Sequence, residues 1–477
     1  MRPSQALWVA LAAVGCSAAY GAGHPAAAAR AAKAAARTAE RVPAPFTLDP
    51  YPSTYRPLPR RDTLITHALV LDGKDHRLTD TDVLIRDGRI AALGRGLQAP
   101  PGGAVIDASR RWVTPGIIDV HSHDGDFPAP FTADQLEHSD VSEVSDPNTA
   151  NVWAEHSVIV QDPSFSRALA GGVTTLQILP GSSNLFGGRS VVLKNVPATT
   201  VQAMKFPGAA YGLKMACGEN PDHEYGDKGH FPSSRMGNVA GYREGWIKAL
   251  EYRRKWDAYE RGEAKDPPNR DLKLDTLAAV LNGDIRVHMH CYRAEEMAYV
   301  LGVAHEFGFH VTAFHHAVEA YKISDLLARE GVCAVVWSDW WGYKKETFDA
   351  IRENAAYVDA AGGCVTMHSD SPVIGQHLML EAGKAMAAGR RAGLDIAPEH
   401  AVAWVTLNAA RVLGLEDRIG SLEAGKNADL VIWSGDPFSV YTHADEVFLD
   451  GARVFDRNAH VPRSDFEVGQ PAQGSPP

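Results

Sequence analysis

Between residues 116 and 368 short apolar runs alternate with segments of helical period, and many of the runs end in histidine. Eight runs read as strands: 116–120, 173–179, 190–194, 211–217, 284–290, 309–315, 332–337 and 363–368. Each is short and bounded by turn residues, which favours a buried strand over a helix. Strands separated by helical patterns signal βα units, so eight of them predict an α/β fold, a (β/α)8 barrel over 114–412. The segment 219–283, with an Arg/Lys/Glu-rich helix over 243–261, interrupts this repeat as an insertion. Outside the barrel the pattern changes to short β runs: 64–71, 82–85 and 89–93 around Asp87-Gly88, then 428–433 and 446–455 around Asp450-Gly451. Two β segments, 62–113 and 413–462, therefore flank the barrel.

Composition adds limits. With 45% hydrophobic and 22% charged residues among 477, the chain has the balance of a globular protein with a large core. A formal charge of −11, with no basic run in the globular part, argues against a nucleic-acid partner. Residues 1–22 carry Met1-Arg2, an apolar stretch over 6–15 and small residues to Gly21, the layout of a signal peptide. The stretch is about half the ~20 residues a membrane span needs, so export, with a periplasmic destination, outranks a transmembrane anchor. Lipidation at Cys16 is the runner-up. Residues 23–61, Ala-rich then Pro-rich, read as a tether and 463–477 as a tail. Cys217, Cys291, Cys333 and Cys364 lie in or beside apolar runs and read as buried free thiols.

His121 and His123 follow the run 116–120. Residues two apart on an extended chain face one side, so both imidazoles can address one cation. Alone, such a pair is more often two surface histidines. Here three further strand ends repeat the chemistry: His288 with His290, His315 with His316, and His368 with Asp370. In a barrel the C-terminal strand ends share one face, which brings distant ligands together. Imidazoles with a carboxylate suit a divalent ion, zinc first, with manganese, iron or cobalt set by supply.

Four motifs in this order resemble the amidohydrolase superfamily, in particular its imidazolonepropionase-like and prolidase-like members. They are Val113-Thr114-Pro115-Gly116-Ile117-Ile118-Asp119-Val120-His121-Ser122-His123, Gly172-Val173-Thr174-Thr175, His368-Ser369-Asp370-Ser371-Pro372, and the run from Arg418-Ile419-Gly420-Ser421 to Asp429-Leu430. The resemblance implies a metal-dependent hydrolase barrel holding one or two ions, with the flanking segments joined into a small composite β-sandwich. By position it implies His121, His123, His288, His316 and Asp370 as ligands. His316 is preferred to His315, and His290 becomes an outer or substrate-facing group. It also implies either a carboxylated Lys214 bridging two ions or Glu219 serving one. Lys214 lies in an apolar run, unlike an ordinary solvated lysine; Glu219 also fits a helix start.

The reaction so implied is hydrolysis of a C–N bond in a small amide or peptide by metal-activated water. Asp370 moves the proton, His316 sits at the reacting centre, and His290 or His368 steadies the oxyanion. Arg235 offers a fork for a carboxylate, and Trp340, in an aromatic loop, a pocket wall. Deamination or opening of a cyclic amide or imide on one ion is the rival, and a catalytically degenerate binding barrel is the alternative from another class. The implied partner is a small molecule, with a homo-oligomer left open.

Overall fold

The computed structural model describes residues 47–129 and 137–459. Five strands come first: β1 (Thr63–Leu71), β2 (Arg77–Arg86), β3 (Arg89–Gly94), β4 (Ala104–Asp107) and β5 (Trp112–Pro115). The β2–β3 hairpin turns on Asp87 and Gly88 at φ 51° and 78°, the left-handed pair that an Asp-Gly turn accepts.

Eight strands then form one sheet in chain order: β6 (Ile117–Ser122), β7 (Val173–Ile178), β8 (Phe186–Lys194), β9 (Gly212–Ala216), β10 (Arg286–Cys291), β11 (Val311–His316), β12 (Cys333–Val336) and β13 (Val365–Met367). Every residue of β6 through β9 is buried, as expected for strands covered on both faces. Among the described residues no ladder joins β6 to β13. The gap between them is bridged instead: the Asp370 backbone N–H donates to His121 O at 2.9 Å, and the Ser369 N–H to Asp119 Oδ1 at 3.3 Å.

All eight expected runs are strands, but the expectation of eight parallel units is corrected at the third. Strand β8 is antiparallel to both neighbours. Only residues 179–185 separate it from β7, and a parallel return needs a crossover of a dozen or more residues. The insertion holds helices Glu219–Gly226, Arg235–Glu260 and Leu272–Asn282. The second of these is capped by the Ser234 side chain and buries Tyr242, Trp246 and Ala249. Trp246 meets the ring of Phe186 edge-on at 5.4 Å, so the insertion is packed onto the barrel.

Strands β14 (Leu430–Trp433), β15 (Ala444–Leu449) and β16 (Ala452–Asp456) close the chain. They pair with the first five in one sheet, β16-β15-β14-β5-β1-β2-β3, with β4 on β1. The two chain ends therefore do join, and the pairing is that of a single sheet. Its apolar face gathers Ile65, Val70, Val83, Ile85, Leu430 and Phe448.

Two more readings are corrected. The part of the tether from Thr47 onward is docked: Lys205 Nζ lies 2.8 Å from Asp49 Oδ1, Arg189 donates to Leu48 O, and the Tyr55 hydroxyl donates to Asp450 at 2.6 Å. The four cysteines form two disulfides, Cys217–Cys291 and Cys333–Cys364, with Cα separations of 5.2 and 4.5 Å. Adjacent strands set those separations within bonding range, and adjacency is what apolar patterning alone does not reveal. The leader, Cys16 and the tail lie outside the described residues. Among the described residues no helix is long and apolar enough to cross a membrane.

Candidate metal centre

The ends of β6, β11 and β13 deliver polar side chains into one small volume. Ligand atoms of His121, His316 and His368 lie within 4.8 Å of one another, as do those of His121, His123 and Asp370. Asp370 Oδ1 is 3.0 Å from His121 Nε2 and 3.2 Å from His123 Nε2. The His290 ring stands 4.5 Å from that of His316. Successive strand residues should face opposite sides, yet His315 and His316 both meet the His121 ring, at 4.8 and 4.9 Å. The left-handed backbone of His316, φ 69°, breaks the alternation, and Asp370 shares it at φ 52°. Such strain costs roughly 1–3 kcal/mol per residue and persists where the surroundings enforce it.

The donor set fits a cation. Both ring nitrogens of His290 and His368, and Nδ1 of His316 and His123, are buried without a hydrogen-bond partner. An unsatisfied buried polar atom costs about 1–3 kcal/mol, and here several converge on one place. Burial, with neighbouring positive charge, holds His121, His290, His315 and His316 well below the ordinary imidazole range, and His368 near 3. A neutral imidazole keeps the lone pair that a metal ligand needs. His123 differs: against the cost of burial, the carboxylates of Asp126, 3.6 Å from Nδ1, and Asp370, 3.2 Å from Nε2, raise it to about 9. Against burial, its histidine neighbours, His316 and the hydrogen-bonded His123 foremost, hold the Asp370 carboxyl below its usual range. Burial lowers Lys214 to about 8, and its Nζ donates to Pro180 O and Ser182 Oγ, both at 3.0 Å.

The remaining expected residues divide. His288 has both ring nitrogens engaged, Nε2 at 3.1 Å from Gln177 Nε2 and Nδ1 at 3.0 Å from His315 Nε2. On β10 it pairs with Lys214, while His290 lies one pleat further along, opposite Ala216. The two share a face, so alternation does not separate them; depth along the strand does. Glu219 begins its helix and lies 3.5 Å from Lys344 Nζ, and it joins none of the ligand groups among the described residues. Arg235 is 58% exposed and braces its helix against Glu295 and Glu296. Trp340 stacks on Trp337 at 4.5 Å, and Trp337 lies over His316 at 4.4 Å and near His368 at 4.8 Å. These indoles wall a cleft of about 280 Å³ that also touches Val318, Ile351 and Arg352.

Sequence reasoning passed over Asp119, Gln177 and Asp126. Asp119 is fully buried, raised by burial to about 7, and accepts from the His121 and Ser369 backbones at 3.2 and 3.3 Å. Its position two before His121, on the same face, was the available signal. Nothing in the pattern marks Gln177, whose partners are Ser190 on β8 and His288 on β10.

A barrel with an imidazole–carboxylate centre at its strand ends defines a metal-dependent hydrolase. The model of the amidohydrolase family matches residues 112–461. The amidohydrolase tasK of Hapsidospora irregularis is 31% identical over 400 residues, covering 79% of this chain. That match spans 40% of the relative's own length. Imidazolonepropionase of Pseudomonas paraeruginosa is 26% identical over 420 residues, 80% of this chain and 98% of the relative. The crystal structure of an amidohydrolase from Thermotoga maritima MSB8 superposes with a TM-score of 0.76 at 36% identity, over 83% of this chain and all of that one. The chain belongs to the amidohydrolase family, metal-dependent hydrolases of carbon–nitrogen bonds.

Proposed function

We propose that the protein hydrolyses the C–N bond of a small amide or peptide, with zinc the cation the donors suit best. The observation that carries this reading is the convergence of buried histidines on the Asp370 carboxylate, with ring nitrogens of His290, His316 and His368 left without partners. His121, His123, His290, His316 and Asp370 are the proposed ligands; His290 takes the place first given to His288, because its nitrogens are the unpartnered pair. Lys214 is positioned below them, and its lowered pKa supplies the free amine that a carbamate bridge requires. A divalent ion there would polarise the scissile carbonyl and acidify the attacking water. Asp370, kept ionised, accepts a proton from that water at Oδ1 and returns it to the leaving nitrogen. His368, neutral and without partners, donates N–H to the developing oxyanion.

The cleft beside His316 favours a substrate with a flat apolar group. Trp337 and Trp340 give it planar walls, and Arg352 at its lip has no ion-pair partner among the described residues, so a carboxylate suits that end. N-acyl amino acids and dipeptides with an aromatic residue meet both conditions. Zinc-loaded protein should release a free amino acid from such compounds and lose the activity to a chelator. Turnover confined to cyclic imides would shift the reading to ring opening. The two disulfides favour an oxidising compartment, so we infer that the chain acts after export; N-terminal sequencing of the native protein tests this, and an intact Met1 would sink it.

A further inference from the structure

Beneath the metal face a file of buried polar groups crosses the barrel from β8 to β6. Ser190 Oγ lies 2.8 Å from Gln177 Nε2, and that nitrogen 3.1 Å from His288 Nε2. His288 Nδ1 is 3.0 Å from His315 Nε2, and His315 Nδ1 is 2.9 Å from His121 Nδ1. All five residues are 1% exposed or less. At 2.9 and 3.0 Å each ring-to-ring contact joins one N–H to one lone pair.

That count makes the file directional. Two N–H groups cannot face each other at 3 Å, and two lone pairs gain nothing there, so fixing one ring fixes all. If His121 offers Nε2 to a metal, its proton sits on Nδ1 and donates to His315 Nδ1. The His315 proton is then on Nε2 and donates to His288 Nδ1. His288 in turn carries its proton on Nε2, which needs an acceptor, and the acceptor in reach is the carbonyl of the Gln177 amide. With the amide nitrogen turned to His288, Oε1 is buried without a partner. Half a turn of the amide exchanges the two ends: Oε1 then accepts from His288 Nε2–H and from the Ser190 hydroxyl, whose oxygen accepts the Gly212 N–H at 3.0 Å.

We propose that Gln177 is a positioning residue which, acting through His288 and His315, fixes His121 in the tautomer that leaves Nε2 free for a metal ion. The inference rests on His121 being a ligand, as proposed above. It also gives His288 and His315 a task that direct ligation does not.

The test uses the full chain and Zn2+. Outer partners of metal-bound histidines typically contribute 10–100-fold in affinity, so Gln177→Met should bind Zn2+ about 10–100-fold more weakly in chelator competition. Gln177→Glu keeps an acceptor and should stay within about threefold of the wild type. Nitrogen-15 spectra of the Zn2+-loaded wild type should show His288 and His315 protonated at Nε2, and this measurement stands even if a variant fails to fold. A folded Gln177→Met with wild-type affinity, or His315 protonated at Nδ1 in the loaded protein, overturns the relay while leaving the metal centre intact. A wild type that holds no Zn2+ overturns both.

Discussion

Two lysines buried to 1% or less lie on adjacent strands and meet opposite surroundings. Lys194, at the seam between barrel and sheet, has Asp450 Oδ2 at 2.9 Å and Asp429 Oδ2 at 3.7 Å, with the ring of Phe206 beneath it at 4.4 Å. Lys214, beside the histidine cluster, has among the described residues only the neutral oxygens of Pro180 and Ser182 within hydrogen-bond reach, with the carboxylates of Asp370 and Asp126 acting from further off. A charge buried beside opposite charge has its desolvation offset by the pair; burial beside dipoles instead pushes Lys214 toward the free amine. Burial is the same in the two places, so the partners set the difference between the two lysines.

The largest effect should come from Asp370, the acid of the metal centre that corresponds to Asp450 at the seam. Asp370→Asn keeps an oxygen donor but loses the proton acceptor, so kcat should fall 10²–10⁴-fold at full metal occupancy. Measuring kcat and zinc content together checks it; a variant with full occupancy and wild-type kcat transfers the role to a histidine such as His368.

Next is stability. Lys194→Met strands two buried carboxylates and should cost about 3–5 kcal/mol in urea unfolding, as expected for breaking a buried ion pair. Lys214→Met removes a poorly paired amine and should cost far less. Equal losses would erase the contrast between the two regions.

The contrast sharpens in elemental analysis. If Lys214 carries a carbamate, the wild type should approach two ions, Lys214→Ala should lose one, and short-chain acids should restore part of it. Should Glu219 serve instead, Glu219→Gln would lose metal while Lys214→Ala kept it.

The smallest effect is at His400, which hydrogen bonds to Asp359 and Asp75 raise to about 9. Its protonated form is favoured by folding, so its contribution is whole below about pH 6.5 and is lost as pH climbs through 9. The side chain is 39% exposed, so screening keeps the effect modest. The urea midpoint of His400→Gln should trail the wild type most at pH 6 to 7 and converge with it near pH 10; a constant gap would remove the charge from the explanation.

The sequence made the barrel strands and the histidines at their ends legible, because both follow from local pattern: apolar runs of strand length, and a spacing of two that sets ligands on one face. What it hid depends on neighbours far along the chain. The reversal of β8 depends on how few residues follow β7, the pairing of Cys217 with Cys291 on which strands adjoin, and the choice between His288 and His290 on how deep each sits once β10 is in register with β9. The docked segment around Asp49 looked like a tether because Pro-rich composition does not show that Lys205 and Tyr211 await it.

The hydrogen bonds between the first and last barrel strands have a kinetic side. Asp119 and Ser369 are 250 residues apart, so the contact that brings His121 to Asp370 closes a loop that holds the whole barrel. Loop-closure entropy and high contact order place such contacts late in folding. A nascent chain therefore lacks the assembled centre until its final strand has emerged, and ion uptake timed against refolding should report the moment the ring of strands meets itself.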